Sequence, residues 1–183
     1  YIRGVLTYDS RHASFTYLGG EKPVKATLPT RFGEVHLKGF IDRIDLKDNT
    51  VRILDYKTGT GGLEFNGWDT LFDRNLTPAN RPKHVLQTLL YGYLYKAHSY
   101  QYDICPGLFY TRKVFDEQFK TELSYKDEQK ESITLKNYYD VEPQFIPRLT
   151  ECIEELLNPE IPFFQTDEKE ACGYCDFKTI CKR

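Results

Sequence analysis

Asp42, Asp45, Asp55 and Lys57 fall within one short stretch, Gly39 to Gly59, which reads GFIDRIDLKDNTVRILDYKTG. Carboxylates gathered with a lysine make poor core material, because an unpaired buried charge is costly. They make good ligands for a hard divalent cation, which takes oxygen donors. Lys57 would then stand beside the metal as a point charge or a proton-handling group.

A β-hairpin must position these groups. Two arms rich in β-branched residues flank a turn at Lys47-Asp48-Asn49. Asp55 and Lys57 are two apart on the second arm and share a face. The first arm has to turn Asp42 or Asp45 toward them. Downstream, Lys83 to His98 is the clearest helix: Val85, Leu86, Leu89, Leu90, Tyr93 and Leu94 recur at helical spacing, and Pro82 suits the first turn. Gln87 and Tyr91 are four apart, so they share a helix face that can lean over the end of the hairpin. Read without the hairpin, they are a solvated glutamine and a tyrosine at the core edge.

The remaining elements frame this pair. Residues 1–38 read mostly as β structure: Ser14–Leu18 alternates up to a Gly19-Gly20 turn, and Val24–Leu28 and Glu34–Leu37 flank a turn over Pro29–Gly33. Glu21 and Glu34 are candidate additional acids. Residues 58–81 form a long glycine-containing segment with a helical turn at Leu71-Phe72, either a guide for substrate or a disordered-leaning insertion. Tyr102–Lys113 reads as a strand that Val114–Leu123 extends or pairs with. Residues 124–140 carry no readable pattern. Glu142–Leu157 reads as a helix beginning near Pro143, with Cys152 beside its apolar stripe as a buried small hydrophobe, and Cys105 reads the same way. The expectation is a single α/β domain over residues 1–183, a central mixed sheet flanked by helices.

Gly39-Phe40-Ile41-Asp42, then Asp55-Tyr56-Lys57-Thr58, then Gln87-Thr88-Leu89-Leu90-Tyr91 resemble, in order and spacing, the motifs of the PD-(D/E)XK nucleases, and specifically of the RecB/AddB-like exonuclease branch. The resemblance implies a restriction-endonuclease-like core and metal-dependent hydrolysis of phosphodiester bonds in DNA. Asp42, Asp55 and the Tyr56 carbonyl would hold Mg²⁺ or Mn²⁺. Lys57 would stabilise water or developing charge, and Gln87 and Tyr91 would place the substrate. Asp45 reads as supporting or structural. The parent would be a helicase–nuclease that processes double-strand breaks, with DNA and a helicase domain or subunit as partners. A nuclease-like DNA-binding or scaffolding domain without catalysis is the alternative. Many members of the family also carry a metal-binding histidine on a preceding helix. His12 and His36 fall in expected strand or turn, so that helix is expected upstream of Tyr1.

Length and composition suit one soluble globular domain: 183 residues, 40% hydrophobic, 28% charged, net charge −2. The balance argues against simple phosphate tracking by the whole surface. Arg81-Pro82-Lys83-His84, Arg112-Lys113 and Lys182-Arg183 are local basic spots that read singly as scattered surface charge. No apolar run approaches the roughly 20 residues of a membrane helix. With no signal peptide, the expected location is cytoplasmic. The chain starts at Tyr1 and contains no Met, so it is expected to be a piece of a longer protein.

Cys172, Cys175 and Cys181 have metal-ligand spacing and need one more ligand, for zinc or for a [4Fe–4S] cluster. In the resembled nucleases such a C-terminal trio closes an iron–sulfur staple with a cysteine far upstream, here before Tyr1. Residues 165–183 would be that staple in the full-length parent, and the competing reading is three free thiols in a tail.

Overall fold

The computed structural model describes residues 1–183 apart from Tyr100, Glu168, Tyr174 and Arg183. Tyr174 of the cysteine run and Arg183 of the C-terminal basic pair therefore lie outside the described residues. Helix α1 (Ile2–His12) leads into three consecutive antiparallel strands, β1 (Thr16–Thr30), β2 (Gly33–Lys47) and β3 (Thr50–Lys57). After the two-residue strand β4 (Glu64–Phe65) and a 3₁₀ turn (Trp68–Leu71), helix α2 (Lys83–Tyr95) crosses over to β5 (Asp103–Tyr110), which lies parallel to β3. Strands β6 (Ser124–Lys126) and β7 (Ser132–Thr134) complete a small second sheet with β4, and α3 (Tyr138–Leu157) and the short α4 (Lys169–Cys172) follow. The main sheet has the order β1-β2-β3-β5 and mixes antiparallel with parallel pairing.

Alternation along β3 splits the core into two layers. Val51 and Ile53 join Val85 and Leu89 of α2 and Phe145 and Leu149 of α3 on one face. Leu54, one residue on, faces the other way and packs with Phe109, Val114 and Tyr8 of α1. The sheet is thus covered on both faces. The β2–β3 turn falls where Lys47-Asp48-Asn49 placed it and has two residues, with Asp48 and Asn49 at φ 48 and 64, a conformation these short polar residues tolerate.

Four expectations need correction. Ile2–His12 is helix rather than strand. Gly4, the β-branched Val5 and Thr7, and Asp9 are weak helix formers, and what holds α1 is Tyr8 docked on Phe109 and Phe119. Gly19-Gly20 is no turn: β1 runs through it, absorbing a register shift between Tyr17 and Gly19. Val24–Leu28 and Glu34–Leu37 are consequently parts of two long strands, with Pro23 and Pro29 tolerated because β1 is an edge. Helix α3 starts four residues before Glu142, where the Asn137 side chain accepts a hydrogen bond from Tyr139 N–H. Cys152 is exposed, because it lies off the buried stripe of α3, which is Tyr138, Val141, Phe145 and Leu149. Among the described residues no helix is long and apolar enough to cross a membrane.

Candidate active site

Pairing between β2 and β3 ends at Arg43↔Leu54, whereas β3 stays paired to β5 through Lys57↔Tyr110. The next residue on each parting strand is Asp42 and Asp55. Tyr56 N–H, which has lost its ladder partner, donates instead to Asp42 Oδ2 at 2.8 Å. The carboxylate thus closes the gap the strands open. In an extended strand a residue's N–H and C=O point to the same side. Lys57 C=O accepts from Thr111 N–H on the β5 side, so the Tyr56 carbonyl points into the gap with Asp42.

Asp55 lies beside this gap and is 2% exposed. Its Oδ2 stands 2.7 Å from Lys57 Nζ in an ion-pair contact, yet no directed hydrogen bond reaches that buried oxygen. Lys57 Nζ donates to Gln87 Oε1 at 2.9 Å, and Gln87 Nε2 donates to Tyr91 OH at 2.7 Å. The chain Asp55–Lys57–Gln87–Tyr91 therefore joins strand to helix. Gly39 makes room for it: a Cβ there would fall 2.8 Å from the Tyr91 ring, so only glycine lets the tyrosine lie against β2.

Burial pushes the Asp55 carboxyl above its ordinary value of 3.8; Lys57 opposes the shift and the charge of Asp42 adds to it. The folded state then holds the Asp55 proton more tightly than the unfolded state. Stability tied to neutral Asp55 is complete below the unfolded pKa and is lost as pH rises through the folded pKa. Asp55→Asn cannot ionise and keeps that stability. In metal-free buffer its melting temperature should gain on that of the unaltered chain as pH rises above the ordinary carboxyl value of 3.8. A gap that narrows or reverses across that rise contradicts this reading.

Five sequence-derived site residues thus come together: Asp42, Asp55, Lys57, Gln87 and Tyr91. Tyr56 contributes its backbone only, since its ring faces α1 and its OH accepts from Arg43 Nη1 at 3.1 Å. Asp45 also faces α1 and is engaged by Arg43 and Arg52. Glu34 is exposed beside the β1–β2 turn. Glu21 falls between the pairs Gly20↔Arg43 and Lys22↔Ile41, opposite Asp42, but is exposed. His12 does sit on a helix, which corrects the expectation of strand or turn. Its ring stacks on Tyr8 and its backbone carbonyl accepts from Lys47 Nζ, at the turn end of the hairpin. His36 is exposed on β2 beside Thr27.

His84 and the Tyr110 hydroxyl escaped the sequence reading as groups of the site. His84 precedes Gln87 by three residues and Tyr91 by seven, so it shares their helix face. Its Nδ1 lies 3.0 Å from the hydroxyl of Tyr110, the β5 partner of Lys57. Burial, then the charges of Lys57 and Lys83, holds His84 below its ordinary pKa. The i, i+3, i+7 spacing was the available signal.

Among the described residues no group of three or more His, Cys, Asp or Glu side chains is placed to hold a metal. The hard-oxygen set is two carboxylates and a carbonyl. A buried Asp55 carboxylate beside Asp42 and the Tyr56 carbonyl is an all-oxygen donor set that fits a hard cation. Cys172, Cys175 and Cys181 are free thiols and are not gathered into a metal-holding group, and neither Cys105 nor Cys152 joins them.

The mixed sheet flanked by helices, with acids on its parting strands and a helix beside them, is consistent with a restriction-endonuclease-like fold. The chain belongs to the PD-(D/E)XK nuclease superfamily, whose family model matches residues 1–182. No curated protein matches it.

Proposed function

We propose that this chain is the nuclease domain of a RecB/AddB-like helicase–nuclease, a cytoplasmic enzyme of DNA break repair and recombination that degrades DNA exonucleolytically with Mg²⁺ or Mn²⁺. The observation that carries the reading is the contact between the two motif-bearing elements: Lys57 of β3 bonded to Gln87 of α2, beside Asp55. A divalent cation bound by Asp42, Asp55 and the Tyr56 carbonyl would supply Lewis-acid polarisation of the scissile phosphate. The chain's own groups do the rest. Lys57 presents positive charge where negative charge grows during hydrolysis. Gln87 fixes the ammonium on one side while Asp55 fixes it on the other. Tyr91 anchors the Gln87 amide, so that its carbonyl faces Lys57. Tyr56 N–H orients Asp42.

The cysteine trio at 172, 175 and 181 would hold a [4Fe–4S] cluster or zinc only with a further ligand. Its role in the parent would be to pin the tail to the nuclease body. A catalytically silent DNA-binding domain is the second reading, favoured by the lack, among the described residues, of a third acidic, histidine or cysteine side chain grouped with Asp42 and Asp55.

Product analysis on end-labelled DNA separates these. Mononucleotides or short oligonucleotides released from an end, with Mg²⁺ or Mn²⁺ present, are the expected result for single- or double-stranded DNA. Binding without any release would establish the silent alternative, and internal cuts alone would contradict the exonuclease assignment.

A further inference from the structure

A polar cavity of about 340 Å³ opens beside the site, between the glycine-rich exit of β3 and the start of α2. Its wall includes Gly61, Glu64, Arg81, Lys83, His84 and Tyr110. His84 and Tyr110 connect it to the site: they are bonded to each other, Tyr110 is the β5 partner of Lys57, and His84 continues the Gln87–Tyr91 face by one turn. The strand-side wall has to be glycine, because a Cβ at Gly61 would fall 2.0 Å from Tyr110 OH.

The charge in this cavity is uneven. Lys83 is exposed and has no ion-pair partner among the described residues. Arg81 spends its hydrogen bonds on the neutral carbonyls of Leu76 and Arg74, so its charge is not cancelled. The acid in the wall, Glu64, is already engaged by Ser132 and Lys126. Lys113 adds a further positive charge behind the wall, with Nζ bonded to Gly61 C=O. A cavity with this excess of cations and neutral donors, opening beside a phosphodiester-cleaving centre, suits an anion on the same strand.

We propose that this cavity binds the phosphate next to the one being cleaved, with Lys83 and Arg81 supplying charge and His84 a directed N–H donor. The assignment rests on the nuclease reading of the neighbouring site and adds to it a subsite that sets how the strand is held. It makes His84 and Lys83 determinants of strand affinity, distinct from Lys57, which acts on the bond broken.

The test uses two single-stranded DNA oligonucleotides, one fully charged and one with a neutral methylphosphonate at the linkage adjacent to the cut. On the charged strand, Lys83→Ala and His84→Ala are each expected to raise KM about tenfold while kcat stays within about threefold. Lys83→Ala should also lower the salt slope of binding by about one. His84→Gln, which keeps an N–H donor, should recover most of the affinity. On the strand neutral at that linkage the variants and the unaltered chain should converge. Unchanged KM in both alanine variants, or an equal rise on both strands, overturns the proposal. Affinity for the same strands, measured by fluorescence anisotropy without divalent metal, reads the cavity independently of cleavage. Absent cleavage with the variant effects intact in binding would count against the nuclease reading and not against the subsite.

Discussion

Lys57→Ala is expected to slow phosphodiester hydrolysis by about 10²–10³-fold while leaving the fold in place. The magnitude follows from removing one fixed positive group aimed at developing charge in a partly buried setting. Lys57 is 19% exposed in its side chain and held from two directions, by Asp55 and by Gln87. The fold survives because Lys57 ends its strand and its side chain carries none of the core. Loss of the ammonium leaves Asp55 facing the site alone, and its carboxyl should then take up a proton at still higher pH, since the interaction that opposes its shift is gone. Gln87→Ala should cost less, about tenfold, because it loosens the lysine without removing the charge. Kinetics under saturating DNA, with circular dichroism as the control for folding, read both effects. Full activity in Lys57→Ala would remove it from the chemistry.

Asp45→Ala is expected to have the largest effect on stability. Asp45 is 0% exposed and takes Arg43 Nε at 2.9 Å on Oδ2 and Arg52 Nε at 2.6 Å on Oδ1. Arg43 reaches on to Asp9 of α1 at 2.9 Å and to Tyr56 OH, and both guanidiniums lie over the ring of Phe15. One carboxylate therefore ties β2 to β3 and, through Arg43, to α1. Truncating it leaves Arg52 without its carboxylate in a poorly solvated layer and Arg43 with Asp9 as its remaining one, at a cost of about 3–5 kcal/mol. In a domain of this size that lowers the melting temperature by roughly 6–20 °C. Asp45 lies on the α1 side of the sheet, so activity per folded molecule should stay within a few-fold below the transition. Denaturant unfolding together with cleavage at low temperature separates the two outcomes. A variant as stable as the parent but inactive would make Asp45 a catalytic acid.

The parts of this site that were legible in the sequence are those whose geometry is local. Asp55 and Lys57 share a strand face by period two, and Gln87 and Tyr91 share a helix face by period four. The turn at Asp48-Asn49 announces itself through residues that accept positive φ. Choosing Asp42 over Asp45 was a different kind of inference, made by resemblance. Its physical basis is where β2–β3 pairing stops, a tertiary fact that composition does not carry. Helix α1 was illegible because its stability comes from Tyr8 docking on Phe109 and Phe119, with little from local propensity. The three-residue strands β6 and β7 were illegible because strands so short exist only through the sheet they join. His84 looked like one more basic residue beside Lys83, and its bond to Tyr110, the β5 partner of Lys57, is a tertiary contact that composition does not carry.

The most direct test is cleavage of end-labelled DNA by the unaltered chain and by Asp55→Asn, side by side, with Mg²⁺, with Mn²⁺ and with EDTA. Metal-dependent cutting that EDTA abolishes, and that Asp55→Asn lacks while melting at or above the temperature of the unaltered chain, is the predicted result. Cutting that persists in Asp55→Asn, or that is indifferent to EDTA, would contradict a metal-assisted centre built on Asp42, Asp55 and Lys57.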